Sequence, residues 1–221
     1  MQAKICGIKT IEAALTAAEN GATMIGLNFY PPSPRFISQE AAQQLVETLQ
    51  NLPIERRPKT VGLFVNVPVE ELTGTADYLK LDYLQLSGDE TPEFCQQATR
   101  VRPVLKAVRL LDGIGEADAL KIVEPFGNIE NVTLLLDTPK QGFYGGTGET
   151  GNWKAARAVA QNYRTMLAGG LTPKNVADAI NLVQPWGVDV SSGVEVEGKP
   201  GEKDLVKIKK FLAQVKKVGS E

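Results

Sequence analysis

Residues Thr133 to Trp153 read TLLLDTPKQGFYGGTGETGNW. An apolar run, Thr133 to Leu136, ends on a carboxylate, Asp137. A loop rich in glycine follows, with Gly142, Gly145, Gly146, Thr147 and Gly148, and Trp153 opens a helical pattern. Proline fixes φ and glycine permits φ > 0, so together they punctuate a loop. A strand that delivers an acid into a loop of bare N–H groups is a way to hold an anion beside a proton donor. One GGTG loop is a weak signal. It gains weight because similar loops recur at Ala168-Gly169-Gly170-Leu171-Thr172-Pro173 and at Asp189-Val190-Ser191-Ser192-Gly193.

Outward from this stretch, short β runs alternate with helical ones eight times. The runs are Ala3 to Ile8, Met24 to Phe29, Thr60 to Val65, Tyr83 to Leu86, Val104 to Leu110, Val132 to Asp137, Thr165 to Ala168 and Gly187 to Val190. Most are continuously apolar, which suits parallel strands covered on both faces. Helix starts are legible between them. Thr10 and Ser38 are placed to cap, and Asn20-Gly21 to stop the first helix. Pro68, Pro92 and Pro173 sit where a first-turn N–H would be orphaned anyway. The remaining helices are read over Ala117 to Val123, Trp153 to Ala160 and Asp204 to Val215.

Eight βα units in 221 residues predict a closed (β/α)8 TIM barrel, class α/β, with residues 1–221 as a single domain. The rival open, doubly wound sheet lacks its GxGxxG fingerprint after the first strand. In a barrel, chemistry gathers at the C-terminal strand ends, and the loops after the seventh and eighth strands often hold phosphate. Gly169, Gly170, Ser191, Ser192 and Gly193 fall in those loops; Gly146 and Gly148 fall after the sixth strand. Any one of these loops alone reads as a tight turn. Three on one rim do not.

Composition narrows the chemistry. A net charge of −2 with no basic run argues against nucleic acid or an anionic membrane as partner. Two cysteines, Cys6 and Cys95, make no disulfide framework, and no signal peptide or spanning segment is legible, so a cytoplasmic home is expected. The chain has no histidine. Ser-His-Asp and Cys-His machinery is therefore excluded, as are imidazole metal sites. Acid–base work must fall to Asp, Glu, Cys, Lys or Tyr.

The strand ends offer Cys6, Arg35 behind its Pro31-Pro32-Ser33-Pro34 loop, Gln85, Asp137 and Asp189. Alone, Cys6 reads as a small buried apolar residue. At a barrel mouth, the same thiol could serve as a base, ionised with help from nearby positive charge. Asp137 could cap its own turn, or act as an acid if burial holds its proton above the usual value of about 3.9. Arg35 reads as a surface charge or as a partner for a carboxylate. Asp189 could bond backbone N–H groups or hold a substrate hydroxyl or amine. Cys95 reads as helix packing. Lys4 shares the parity of Cys6, so it must plug a lower layer of the barrel unless the strand is irregular.

Taken in order, Lys4-Ile5-Cys6-Gly7-Ile8, Asn28-Phe29-Tyr30, Ser33-Pro34-Arg35, Val61 to Asn66, Leu84-Gln85-Leu86, Leu136-Asp137, Gly145 to Gly148, Leu167 to Leu171 and Val188 to Glu195 resemble the phosphoribosylanthranilate isomerases of tryptophan biosynthesis. The resemblance covers nearly the whole chain. It implies an Amadori rearrangement of a small-molecule substrate, phosphoribosylanthranilate, without metal or organic cofactor; the apolar helix faces serve a monomer or homodimer alike. It implies Cys6 as general base, Asp137 as general acid and Arg35 as ligand of the anthranilate carboxylate. Gln85 and Asp189 would bind near the reacting centre, with Gly146, Gly148, Gly169, Gly170 and Ser191 to Gly193 around the phosphate.

Two departures stand out. Ser87 occupies the place where this family usually carries histidine. Thr150-Gly151-Asn152-Trp153 replaces a Phe-Asp-Trp ending, an exchange expected to loosen the start of the sixth helix. The histidine-pathway aldose–ketose isomerase barrel is similar in architecture but usually has aspartate where Cys6 stands. A non-catalytic phosphate-binding barrel would be expected to have lost Cys6 or Asp137.

Overall fold

The computed structural model describes residues 1–111, 113–137 and 152–219. Eight strands alternate with eight helices: β1 (Gln2–Cys6), α1 (Ile11–Glu19), β2 (Met24–Asn28), α2 (Gln39–Gln50), β3 (Lys59–Phe64), α3 (Val69–Tyr78), β4 (Tyr83–Leu86), α4 (Pro92–Ala98), β5 (Val104–Arg109), α5 (Glu116–Gly127), β6 (Val132–Asp137), α6 (Trp153–Asn162), β7 (Thr165–Ala168), α7 (Val176–Val183), β8 (Gly187–Val190) and α8 (Leu205–Val218). Every strand is parallel to its neighbours, and β8 pairs with β1 through Gln2–Gly187 to Ile5–Val190, closing the barrel. The open-sheet alternative is thereby excluded.

Closure sorts the apolar residues into two cores. Met24, Val61, Leu105, Leu135, Met166 and Ala168 fill the barrel interior. Alternate positions face outward and pack beneath the helices, among them Ile5, Leu27, Phe64, Leu84, Leu134 and Val188, against Leu45, Leu72, Ala156 and Phe211. Each strand is therefore covered on both faces, which is why its sequence is apolar throughout. The period of two also settles the parity of Lys4 and Cys6: both face inward, Lys4 one layer below.

Local chemistry sets the helix starts. Thr10, Ser38 and Thr91 accept hydrogen bonds from the backbone N–H of Ala13, Ala41 and Phe94. Pro92 opens α4 at a first-turn position, whereas Pro68 is the N-cap of α3. Pro173 does not open α7. The helix starts at Val176, because Asn175 first closes a turn by accepting from the N–H of Thr172. α5 runs on through Pro125 to Gly127, past the predicted end. At the start of α6, Asn152 accepts from Ala155 N and donates its own amide to the carbonyl of Ile114, while Thr150 and Gly151 of the same departure lie outside the described residues.

Phe211 of α8 is fully buried in the core between helices and barrel. Phe211→Ala is expected to cost about 3–5 kcal/mol, the usual loss for emptying an aromatic core position. Urea unfolding checks it; a midpoint unmoved at constant slope would contradict this packing role.

Candidate active site

Parallel closure places all eight strand ends, and the described loops after them, around one mouth. The mouth encloses a cavity of about 890 Å³ whose walls include Cys6, Arg35, Gln85, Asp137 and Asp189. Gly169, Gly170, Ser191, Ser192 and Gly193 line it as well. Every described candidate from the sequence thus meets at one cavity. Gly146 and Gly148 lie outside the described residues.

Below the cavity, Asp189 of its lining meets a buried charge. Lys4 is fully buried and donates to Asp189 Oδ1 at 3.0 Å. Burial alone would lower the lysine pKa, but Asp189 and Cys6 outweigh it and raise it, so Lys4 stays charged. Cys6 lies beside this pair. Burial raises its pKa, against the pull of Lys4 and Lys203, while Asp189 adds to the rise. Gly26 makes room for the arrangement: a Cβ there would sit 2.9 Å from Cys6 Sγ and 3.1 Å from Lys4 Nζ.

A second charged group closes the rim between β1, β2 and β8. Arg35 grips Glu195 with two parallel bonds, Nε to Oε1 at 2.7 Å and Nη2 to Oε2 at 2.8 Å. Lys203 donates to the same Oε1 at 3.0 Å and to the carbonyl of Ser191, also at 3.0 Å. Burial would raise the pKa of Glu195, but the bonds from Arg35 and Lys203 prevail and hold it at about 2. Gly7 is needed here twice over. Its φ is +73°, and a Cβ would stand 2.9 Å from Arg35 Cδ, so the arginine stem lies across the backbone next to Cys6.

The two candidate anion loops are interlocked. A Cβ on Gly193 would fall 1.8 Å from the carbonyl oxygen of Leu171, a separation no side chain tolerates. Gly169 and Gly170 both take positive φ, at 83° and 64°. Ser191 donates its hydroxyl to the carbonyl of Cys6 at 3.3 Å, tying this loop to the thiol-bearing strand.

Across the mouth, Asp137 ends β6 and is half-buried. Burial raises its pKa; Arg109 opposes and Asp189 reinforces the rise. Gln85 is buried and donates to Ser87 Oγ at 3.0 Å, leaving its Oε1 without a partner among the described residues. The serine at this position is therefore satisfied by its neighbour two residues back. Beyond it, Glu90 accepts from Lys106 at 2.7 Å and from the N–H groups of Asn66 and Gly88, binding the loops after β3 and β4 together. Cys95 is fully buried on α4, with its pKa pushed up to about 11 by burial. It takes no part in the mouth.

Sequence reasoning passed over Glu195, Lys203, Glu90 and Lys106. Glu195 closed a recognised motif, but nothing marked the role of its side chain. Each of these residues gains its partner through folding, over separations from 8 residues for Lys203–Glu195 to 160 for Arg35–Glu195. Spacing therefore carried no signal. Among the described residues, no cluster of His, Cys, Asp or Glu could hold a metal ion, and no helix is long and apolar enough to cross a membrane.

A closed parallel barrel with its polar residues gathered at the C-terminal mouth defines a (β/α)8-barrel enzyme. A family model described as N-(5'-phosphoribosyl)anthranilate (PRA) isomerase matches residues 3–214. The chain belongs to that family, an isomerase family of tryptophan biosynthesis. It is 42% identical over 221 residues to the N-(5'-phosphoribosyl)anthranilate isomerase of Pelobacter propionicus, covering 100% of this chain and 98% of that one. Among solved structures it resembles the phosphoribosyl anthranilate isomerase of Thermotoga maritima, with a TM-score of 0.82, 38% identity and coverage of 98% and 99% of the two chains. It also resembles a phosphoribosyl anthranilate isomerase in complex with reduced 1-(o-carboxyphenylamino)-1-deoxyribulose 5-phosphate, with a TM-score of 0.80, 35% identity and coverage of 98% and 99%.

Glu195 supplies a prediction about acid stability. Its folded pKa is depressed to about 2 from 4.5, so its contribution is present above pH 4.5 and is lost as the pH falls toward 2. Glu195→Gln is expected to lower stability at neutral pH and to flatten the loss across that window. Urea midpoints measured from pH 5 to pH 2 (roughly the span over which a salt-bridged carboxylate titrates) check this. Parallel curves for the two proteins would contradict it.

Proposed function

We propose that the chain converts N-(5'-phosphoribosyl)anthranilate to 1-(2-carboxyphenylamino)-1-deoxyribulose 5-phosphate, with Asp137 as general acid and Cys6 as general base. The observation that carries this reading is that a buried thiol and a carboxyl of raised pKa stand on the walls of one cavity, beside two interlocked glycine and serine loops. The substrate assignment rests on the family, and the reduced product analogue named for the solved relative belongs to the same chemistry.

Asp137 protonates the furanose ring oxygen. The C1'–O bond breaks as the anilino nitrogen donates its lone pair, leaving a protonated Schiff base. The Cys6 thiolate then takes the C2' proton, and those electrons form the C1'=C2' double bond and return the nitrogen to neutrality. The enolamine tautomerises: the C2' hydroxyl loses its proton, C1' gains one, and the ketone results. The step needs an acid and a base that are held apart and oppositely protonated.

The electrostatics support these roles unevenly. Burial helps Asp137 keep a proton to give. It works against ionisation of Cys6, and Lys4 and Lys203 are the charges that oppose it. Gly169, Gly170 and Ser191 to Gly193 hold the phosphate in this reading, and Gly146 and Gly148, outside the described residues, are assigned to the same task. Arg35 takes the anthranilate carboxylate. Two of its N–H groups are spent on Glu195, and Nη1 takes no part in that grip. Gln85 offers its unpaired Oε1 to a substrate hydroxyl or amine, and Asp189 acts from the floor of the cavity.

Fluorescence-monitored consumption of phosphoribosylanthranilate by the purified protein tests the function directly. Cys6→Ser and Asp137→Asn are each expected to lower turnover by about 10²–10⁴-fold while retaining the fold by circular dichroism. Wild-type rates in either variant would remove that residue from its role. The thiol itself can be titrated through its alkylation by iodoacetamide. The midpoint is expected above the ordinary thiol value of 9.0, because burial prevails over the two lysines. A midpoint below it would reverse the balance argued for the pocket.

A further inference from the structure

Glu195 and Lys203 enter the mouth from outside the barrel strands. Glu195 follows the 3-10 turn Ser192–Val194, and the chain then folds back so that Glu195 and Lys203 form an antiparallel bridge. The Lys203 side chain is only 3% exposed, so it does not serve as a surface charge. Its ammonium has three acceptors in reach: Glu195 Oε1 at 3.0 Å, Ser191 O at 3.0 Å and Ser191 Oγ at 3.4 Å. Lys207 fixes the backbone of the same glutamate by donating to its carbonyl at 2.8 Å.

A guanidinium has two edges that match a carboxylate: Nε with one terminal nitrogen, and the pair of terminal nitrogens. Glu195 occupies the first through Nε and Nη2. It thereby fixes the rotation of the planar group and, among the described residues, leaves the second edge, Nη1 with the other Nη2 proton, uncommitted. Arg35 lines the cavity, and its stem crosses Gly7 next to Cys6.

We propose that Glu195 and Lys203 are positioning residues: Lys203 locks Glu195 to the Ser191–Gly193 loop, and Glu195 turns the free edge of Arg35 toward the substrate carboxylate. This rests on the functional reading above, in which Arg35 receives that carboxylate. One rigid unit then sets the distance between the carboxylate end of the substrate and its phosphate end. The loss of a carboxylate–guanidinium contact made equally in ground and transition states falls on KM rather than on kcat.

The test is a double-mutant cycle read by steady-state kinetics on phosphoribosylanthranilate. Arg35→Ala and Glu195→Gln are each expected to raise KM on the order of 10- to 100-fold, the span for hydrogen bonds to charged groups, with a much smaller change in kcat. The double variant should be no worse than Arg35→Ala alone, since Glu195 acts through Arg35. Lys203→Arg should keep most of the wild-type KM, and Lys203→Met should raise KM as Glu195→Gln does while also lowering kcat, because it removes one of the charges that favour the Cys6 thiolate. If Glu195→Gln fails to fold, Glu195→Gln/Lys203→Met, which removes both charges together, takes its place in the cycle under the same criterion. Additive losses, or losses confined to kcat, would overturn the positioning role. A wild-type chain inert toward phosphoribosylanthranilate would overturn the functional reading and this role together, whereas an active one with additive losses overturns this role alone.

Discussion

A charged lysine fully enclosed by a barrel is tolerable only if a carboxylate meets it, and in this molecule Asp189 does so at 3.0 Å. The pair sits on neighbouring strands, Lys4 opposite Asp189 in the register of β1 and β8. It therefore depends on the seam at which the barrel closes. Breaking the pair would leave one buried charge unmatched, a loss of about 3–5 kcal/mol in comparable settings. Asp189 of this pair lines the cavity, and both members act electrostatically on Cys6. Stability and site chemistry thus share one interaction.

Two further buried lysine–carboxylate pairs stand around the mouth, Lys203 with Glu195 and Lys106 with Glu90. Each carboxylate joins loops that leave different strands. Glu195 connects the β2 and β8 loops through Arg35 and Lys203, and Glu90 connects the β3 and β4 loops through Asn66 and Gly88. Loops on a barrel rim have few apolar contacts with which to order themselves, so buried, fully bonded charges perform that task here. The rigidity matters for a reaction that moves protons between fixed groups, since small displacements of positioned groups are costly.

Much of this was legible in the chain. Continuous apolar runs between capped helices specify parallel strands covered on both faces, and eight such units of this length leave few architectures open. Tyr83–Leu86, Val132–Asp137, Thr165–Ala168 and Gly187–Val190 are strands with the bounds read from their residues. Pro173 misled because a turn closed by Asn175 comes before α7. Asn152 caps α6 through its side chain, a role open to Asn at a helix start.

Sequence by itself determined the alternation, the barrel class and the strand ends that carry Cys6, Arg35, Gln85, Asp137 and Asp189, because periodicity and loop chemistry are local properties. The partners of these residues were decided only by tertiary structure. Which carboxylate meets Lys4, which edge of Arg35 is taken by Glu195, and why Gly193 admits no side chain all depend on atoms brought together over long chain separations. Ion pairing and close approach are properties of distance in space, and distance along the chain does not encode them.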